Sequence, residues 1–356
     1  MEPQTYFDKM RETSTEIDGA IFDSLKPLKQ ENHEMYEAVI VLVNKRGGLP
    51  KLRGHLAREA YVACSGGVDD MKWTSLATAV ELELNAMYYR NQIFDDKAGC
   101  SVDNARNVIS HWSSDSYSRD LAEKFLNEGY DSDPKLIRLL RESNMNFTVG
   151  EFCDTQQNIY SQSKNLTFND QIDLCNKRIY GINASFIEKI AEMGGILAEG
   201  SNEQVKALGD FGRAWGMAGQ IMNDVTDFVP PRLNKGTTEK TGNDAYSDIK
   251  HGKMTYPVIW LLENGSEKDK KLLEEILAKG QSTQPFQLEE LTKVLVSSGA
   301  IDFAKQSVRE YAKQAKSALH GGTFSKNERR YLSNMCTMFR TNRYYDALKE
   351  FEARNK

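Results

Sequence analysis

Apolar residues recur at three- and four-residue spacing along almost the whole chain, while alternating apolar and polar runs are nearly absent. That period belongs to helices that bury one face. It predicts helices over about 5–24, 29–45, 51–65, 71–96, 103–128, 134–160, 168–200, 202–228, 252–264, 266–279, 286–298, 299–320 and 326–352. Asp133 before Pro134 is a start signal, an N-cap acid followed by the one residue whose missing N–H costs nothing in a first turn. Late in the chain Ile301, Ala304, Val308, Tyr311, Ala315 and Ala318 draw a single apolar stripe. No change of composition divides the chain, so the pattern reads as one all-α domain over residues 1–356, a helical bundle around a central apolar cavity.

Two of these helices carry polar oxygens where the stripe should stay apolar. In the run from Gly219 to Phe228, Gln220, Asp224 and Asp227 share one edge while Ile221, Val225 and Phe228 lie beside it. Carboxylates on a helix this apolar need a cation, because unpaired charge is costly in a low dielectric. With no Cys or His nearby, oxygen-only ligands point to a hard ion such as Mg2+. Taken alone the run fits a solvated acidic face equally well. The second helix tips the balance: Leu76, Val80, Leu84 and Met87 lead to Asn91 and Asp95, so Asn91–Asp95 and Asn223–Asp227 repeat one N-x-x-x-D spacing. Facing each other, such pairs would hold metal at the mouth of an apolar pocket, suited to a polyanionic head on a hydrocarbon tail.

Basic residues lie where a phosphate partner would need them. The longest irregular stretch, 230–253, opens on Pro230-Pro231 and carries Arg232, Lys235, Lys240, Lys250 and Lys253. It follows the acidic helix directly and can bring lysines over it. Upstream, Gly47 and Gly48 precede Lys51 and Arg53 at a helix start, a second place for an anion.

Composition narrows the classes. A net charge of -5 argues against a nucleic-acid partner. No apolar run is long enough for a transmembrane segment, and residues 1–25 lack a basic-then-apolar leader, so the expected location is cytoplasmic. The 5 cysteines are odd in number and scattered, unlike a disulfide frame or a zinc site.

Set in order, these pieces resemble the trans-isoprenyl diphosphate synthases, the polyprenyl synthetase family. Gly47 to Arg53 is similar to the family's glycine-basic motif, and Ala79 to Asp95 to its first aspartate-rich helix. Gly150-Glu151-Phe152-Cys153-Asp154 resembles its G-Q-x-x-D stretch, Gly219 to Asp227 its second acidic motif, and Asp248 to Pro257 its D-x-x-x-G-K-x-T-x-P stretch. The resemblance implies an isoprenoid synthase-type fold that ionises an allylic prenyl diphosphate with Mg2+ and couples it to isopentenyl diphosphate or, irregularly, to a second prenyl diphosphate. It implies a homodimer, or a heteromer with a second prenyl synthase subunit. Carried onto this chain, the metal ligands are Asn91, Asp95, Asn223, Asp224 and Asp227. The catalytic set is Lys253, Gln220 and Asp224, and substrate falls to Lys51, Arg53, Arg106, Lys240 and Lys253, with Met87 and Tyr88 along the prenyl chain.

The departures from the family pattern keep two other readings open. Asn91 and Asn223 replace acids, Pro50 stands where a lysine is usual, Ile182-Asn183 where Lys-Thr is expected, and the arginine pair after the first motif shrinks to Arg106. Asp95-Asp96 is the other candidate acidic pair. A terpene cyclase on the same fold, or a non-catalytic subunit of a heteromeric synthase, would also tolerate these losses. The 5 histidines form no cluster. Glu81 and Glu83 sit more than two turns before Asn91, and Arg90 beside the motif has no assigned role.

Overall fold

In the computed structural model the apolar stripes become helices. The structure describes residues 3–46, 50–94, 102–130, 133–230, 245–339, 348 and 350. In chain order the helices are α1 (Pro3–Glu31), α2 (His33–Arg46), α3 (Leu52–Cys64), α4 (Thr74–Phe94), α5 (Val102–Gly129), α6 (Pro134–Phe152), α7 (Tyr160–Ser163) and α8 (Phe168–Ile179). They continue with α9 (Ser185–Leu197), α10 (Asn202–Thr226), α11 (Ser247–Lys250), α12 (Tyr256–Asn264), α13 (Glu267–Lys279), α14 (Pro285–Ser297), α15 (Ala300–Ala318) and α16 (Lys326–Met335). Among the described residues no strand forms, and one isolated bridge joins Ile159 to Lys253. No helix among them is long and apolar enough to cross a membrane.

The chain packs into two compact units. The first comprises Met1–Met145, Phe186–Gly212 and Ala318–Leu332; the second comprises Asn146–Ser185, Arg213–Ser317 and Ser333–Lys356.

In the first unit α4 is the central element. From Leu76 to Met87 every residue is buried, so α4 has no solvent face over three turns. The helix α3 meets it at Gly54, whose N–H donates to Glu81 Oε1 at 3.0 Å. A Cβ at Gly54 would lie 2.4 Å from Ile17 Cδ1 and 3.3 Å from the Ala77 carbonyl oxygen, so any larger residue would require Ile17 of α1 to shift. Along its length α4 runs antiparallel to α5: the Leu76 N–H near the start of α4 donates to Tyr130 Oη just past the end of α5, and Arg90 near the end of α4 pairs with Asp115 midway along α5. Where the sequence predicts a break after residue 24, α1 instead continues through Pro27 to Glu31. Pro27 removes one helical hydrogen bond. Burial of Ile17, Ile21, Leu25 and Leu28 in one stripe outweighs that loss.

In the second unit α6 meets the turn after α8 backbone to backbone. A Cβ at Gly181 would fall 2.5 Å from Gly150 Cα, and one at Gly150 would fall 2.5 Å from the Ile182 nitrogen. Beside this contact the helices widen into π-helical turns, Cys153–Gln157 after α6 and Tyr180–Ala184 after α8. The pattern predicts unbroken helices over 134–160 and 168–200; the widening interrupts both, because a π turn shifts which side chains face inward. The stripe of α10 settles as expected, with Ile221, Val225 and Phe228 fully buried.

Candidate functional site

Four elements of the second unit bring a charged cluster together. Arg178, on the last turn of α8, reaches Asp154 in the wide turn after α6 through Nη1 at 3.2 Å, and donates through Nη2 to Asp224 on α10. All three side chains are almost completely buried. The other oxygen of Asp224 accepts from Gln220 Nε2 at 2.9 Å, one turn earlier on the same helix. Burial and the neighbouring Asp248 push the Asp224 carboxyl up to about 6, against the pull of Arg178. Burial also pushes Asp154 up, but Lys253 and Arg178 more than offset it and hold the group below its ordinary range.

Lys253 reaches the same cluster from a tight turn. After α11 the chain passes through Gly252 at φ +74, a conformation that glycine adopts without strain. The turn is strapped by the Asn158 and Tyr160 backbone: the Met254 N–H donates to the Asn158 oxygen at 3.0 Å, and the Tyr160 N–H to the Gly252 oxygen at 2.8 Å. This strap sets Lys253, 7% exposed, with Nζ 2.6 Å from Asp154 and 3.5 Å from Asp248. Asp227 is partly exposed at the end of α10 and caps the start of α11, accepting the N–H of Ser247 at 2.9 Å and of Asp248 at 3.2 Å. Asn223 is exposed on the same helix.

The remaining predicted residues fall in the first unit or outside the described residues. Lys51 is 3% exposed with Nζ 3.0 Å from Asp18, and its N–H donates to Ser14 Oγ, two contacts that fasten the start of α3 to α1. Arg53 is half-buried on α3, and Arg106 is exposed on α5. Met87 is buried on α4, whereas Tyr88 is 38% exposed. Tyr89 is buried and its hydroxyl donates to α2 carbonyls, at 2.8 Å to Ala38 and 2.7 Å to Val39. Asn91 is half-buried on α4. Asp95, Asp96 and Lys240 lie outside the described residues. Arg90, without an assigned role in the sequence, fastens α4 to its neighbours through Asp115 on α5 at 2.8 Å and Asn144 on α6 at 2.6 Å.

The family model for polyprenyl synthetase matches residues 116–295, half of the chain. The chain belongs to the polyprenyl synthetase family. Among its relatives is the short chain isoprenyl diphosphate synthase of Methanothermobacter thermautotrophicus, 31% identical over 162 residues that span 44% of this chain and 47% of that protein. A longer match is the geranylgeranyl diphosphate synthase of Methanosarcina mazei, 26% identical over 326 residues, 88% of this chain and 91% of that one. The chain thus spans about half the length of the first relative and nearly all of the second. Among solved structures, the geranylgeranyl pyrophosphate synthetase of Pyrococcus horikoshii shares the fold at a TM-score of 0.77 with 22% identity, over 96% of this chain and 100% of that one.

The polyprenyl synthetase match contains the whole charged cluster and leaves α4, with Met87 and Asn91, outside it. Two members of the cluster have no role in the sequence reading: Asp154 closes the stretch similar to G-Q-x-x-D, and Arg178 lies in none of the motifs. Arg178 had a legible signal: it is an arginine on the inward face of a short helix, in line with Gln171 and Cys175, which are also buried. Such a residue is rarely buried without an acidic partner.

The fit of Mg2+ can be judged from the charges present. Asp154, Asp224, Asp227 and Asp248 share only Arg178 and Lys253 as described basic partners in this network. Loss of hydration first, and then the Asp248 carboxylate, push Asp227 well above its ordinary range. Excess carboxylate with oxygen-only donors is what a divalent hard cation would relieve. No three acidic, histidine or cysteine side chains among the described residues already surround one point. Mg2+ does not require it, since it is commonly held by one or two carboxylates and completes its shell with water and phosphate oxygens.

Proposed function

We propose that this polyprenyl synthetase family member is a Mg2+-dependent prenyltransferase that joins an allylic prenyl diphosphate to isopentenyl diphosphate. The observation that carries this reading is the cluster in the second unit. There, a buried arginine and a nearly buried lysine are pinned by Asp154 next to carboxylates that outnumber their basic partners among the described residues. The names of the Methanothermobacter and Methanosarcina relatives, both prenyl diphosphate synthases, support it.

Asp227 and Asp248 are the residues to hold the metal, with Asn223 as a neutral oxygen donor beside them. A bound Mg2+ supplies positive charge to a departing diphosphate. Asp154 holds Lys253 in place, so its ammonium meets a diphosphate already oriented. Arg178 keeps Asp224 ionised and α8 fixed against α10, without needing to touch substrate. In the reaction the allylic C–O bond breaks and diphosphate leaves, the terminal alkene carbon of isopentenyl diphosphate forms the new C–C bond, and the positive charge left on its methyl-bearing carbon is discharged when a proton leaves the CH2 on that carbon's other side, re-forming the double bond.

The test supplies one allylic diphosphate with and without isopentenyl diphosphate, in Mg2+ or in EDTA. A longer prenyl diphosphate made only with both substrates and Mg2+ is the expected product. Hydrocarbon from the allylic diphosphate alone would instead identify a cyclase, and no turnover under any condition a non-catalytic subunit. Lys253→Ala is expected to weaken diphosphate binding by about 1.5–3 kcal/mol, the range for a hydrogen bond to a charged group, read as a rise in KM or Kd. Met87→Ala should lengthen the product by about one five-carbon unit, because one helical turn is about 5.4 Å and an isoprene unit is of similar length. An unchanged product would remove α4 as the wall of the chain pocket.

A homodimer is part of this proposal. Ile109 and Trp112 on α5 are both more than half exposed, and on α6 Met145, Val149 and Phe152 form an exposed apolar stripe at helical spacing. Apolar surface of this kind favours burial against a second copy.

A further inference from the structure

Among the described residues three non-glycine side chains sit on left-handed backbone: Met71 at φ 65, Glu199 at φ 55 and Tyr246 at φ 65. Met71 and Glu199 are exposed. Tyr246 is 4% exposed and stands two residues before Asp248, at the entry to α11. This conformation is disfavoured about 5–30-fold for a residue that carries a Cβ, and a bulky side chain keeps it only where its surroundings fix it from several sides.

Tyr246 is fixed through its backbone and its ring. Its N–H donates to the Asp227 carbonyl oxygen at 2.7 Å, and its own carbonyl accepts the Lys250 N–H at 3.1 Å. Its hydroxyl lies 3.0 Å from Thr292 Oγ1 on α14. Thr292 Oγ1 is 3.0 Å from the Phe228 carbonyl oxygen and 3.2 Å from that of Leu288, so the threonine proton goes to a carbonyl and its oxygen accepts from Tyr246. Backbone and ring are thereby tied to consecutive residues, Asp227 and Phe228, where α10 ends. Thr292 and Phe228 are fully buried, so water does not compete for this anchor.

The left-handed turn also decides where the following N–H groups point. Ser247 donates to Asp227 Oδ1 at 2.9 Å and Asp248 to Asp227 Oδ2 at 3.2 Å. Each oxygen of Asp227 thus uses one lone pair on α11 and keeps another, because an ionised carboxylate offers about four acceptor sites. The Asp248 carboxylate is near enough to add to burial in pushing the Asp227 carboxyl up, a like-charge pair that a divalent cation would relieve. Asp248 in turn reaches Lys253, through its carbonyl at 2.9 Å from the lysine nitrogen and through Oδ1 at 3.5 Å from Nζ. With extended or right-handed backbone at residue 246 the chain would leave in another direction, and the two N–H groups would miss Asp227.

We propose that Tyr246 is a positioning residue for the divalent cation: its anchored ring holds a left-handed turn that keeps Asp227 and Asp248 together and, through Asp248, sets Lys253. It acts through these side chains and not by contact with the cation. The proposal rests on the Mg2+-dependent prenyltransferase reading above, and its test reads metal binding without any prenyl substrate.

The test is calorimetry of Mg2+ binding in the presence of inorganic pyrophosphate for the wild type, Tyr246→Gly and Tyr246→Ala, with the Mg2+-induced rise in melting temperature as a second readout. Both variants lose the ring, and so the same packing. They differ in the backbone: glycine enters the left-handed region freely, whereas alanine keeps the penalty without the anchor that offsets it. The wild type should bind most tightly and Tyr246→Gly more weakly. Tyr246→Ala should bind about 5–30-fold more weakly still, the factor by which a Cβ disfavours this turn. A role in packing alone would give no difference between the two variants or the reverse order, since glycine elsewhere destabilises relative to alanine. Equal affinity in the wild type and Tyr246→Ala overturns the proposal, as does a glycine variant that binds no better than the alanine variant. Should Tyr246→Ala fail to give a cooperative melt, Tyr246→Phe and Thr292→Val take its place. Each should weaken Mg2+ binding about 2–12-fold, the range for one hydrogen bond, and their double variant no further than either alone. Unchanged binding in both, or losses that simply multiply, overturns the proposal. Wild-type protein that binds no Mg2+ with pyrophosphate sinks the metal reading and this proposal with it, whereas a failure confined to the variants leaves that reading standing.

Discussion

Arg178→Met is expected to lower stability by about 3–5 kcal/mol and to abolish diphosphate turnover, the largest loss from any single change in the cluster. The argument is one of unpaired charge, not of a lost hydrogen bond. Asp154 and Asp224 are 2% and 0% exposed, and Arg178 is their shared partner. Removing it leaves Asp154 with Lys253 and leaves Asp224 with Gln220 alone, a neutral donor. Methionine fills the volume, so a cavity is not the cause. The double variant Arg178→Met/Asp224→Asn should recover part of the stability, since it removes the stranded charge, but not the activity. Denaturant unfolding gives the first quantity and product formation the second. A single variant within about 1 kcal/mol of wild type would mean that Asp224 is satisfied elsewhere, and the cluster would lose its role.

The second large effect is the dependence of stability on Mg2+ and pH together. Asp224 is raised from 3.8 to about 6 and Asp227 is raised well above its ordinary range, with burial the first cause in both and the Asp248 carboxylate adding to it. The folded state therefore keeps protons that the unfolded chain has already released. Stability from Asp224 is fully present below 3.8 and is lost as pH rises through about 6, and Asp227 acts in the same direction. Each unit of displacement is worth about 1.4 kcal/mol. The sign is opposite for Asp154, whose lowered carboxyl loses its contribution only as pH falls below 3.8. A cation at Asp227 needs the carboxylate ionised, so Mg2+ should stabilise more strongly as pH rises over the same interval in which the metal-free protein weakens. At about 100 times its Kd, Mg2+ contributes roughly 2.7 kcal/mol. Melting temperatures from pH 4.5 to 8, with Mg2+ and with EDTA, should diverge with pH for the wild type, and Asp227→Asn should bring the two curves together. Parallel curves for the wild type would remove Asp227 from the metal site.

Two features of the cluster explain why these effects should be large. The cations are held by packing with distant segments: the Gly150–Gly181 contact sets α6 against the turn after α8, and the Asn158–Tyr160 strap holds the Lys253 turn. Both wide turns, Cys153–Gln157 and Tyr180–Ala184, flank the residues that converge. Such turns re-aim side chains that a regular helix would send elsewhere.

The sequence by itself determined the helical class, the apolar stripe of α10, the start of α6 at Pro134 and the acidic edge carrying Gln220, Asp224 and Asp227. All of these are properties of spacing within one element, where 3.6 residues per turn decides which side chains share a face. It also determined the family, because the glycine, lysine and aspartate spacings around Asp154, Asp224 and Lys253 are local patterns. Only the tertiary structure decided what each charge faces. The sequence offers Lys51 and Lys253 alike as phosphate ligands. Packing of α3 on α1 commits Lys51 to Asp18, while the turn at Gly252 delivers Lys253 to Asp154. Tyr88 and Tyr89 are equivalent as letters, but α4 turns one outward and ties the other to α2. Arg178 becomes the hub of the cluster through partners 24 and 46 residues away. No local pattern encodes those distances, since a buried charge is satisfied by whichever element the fold brings to it.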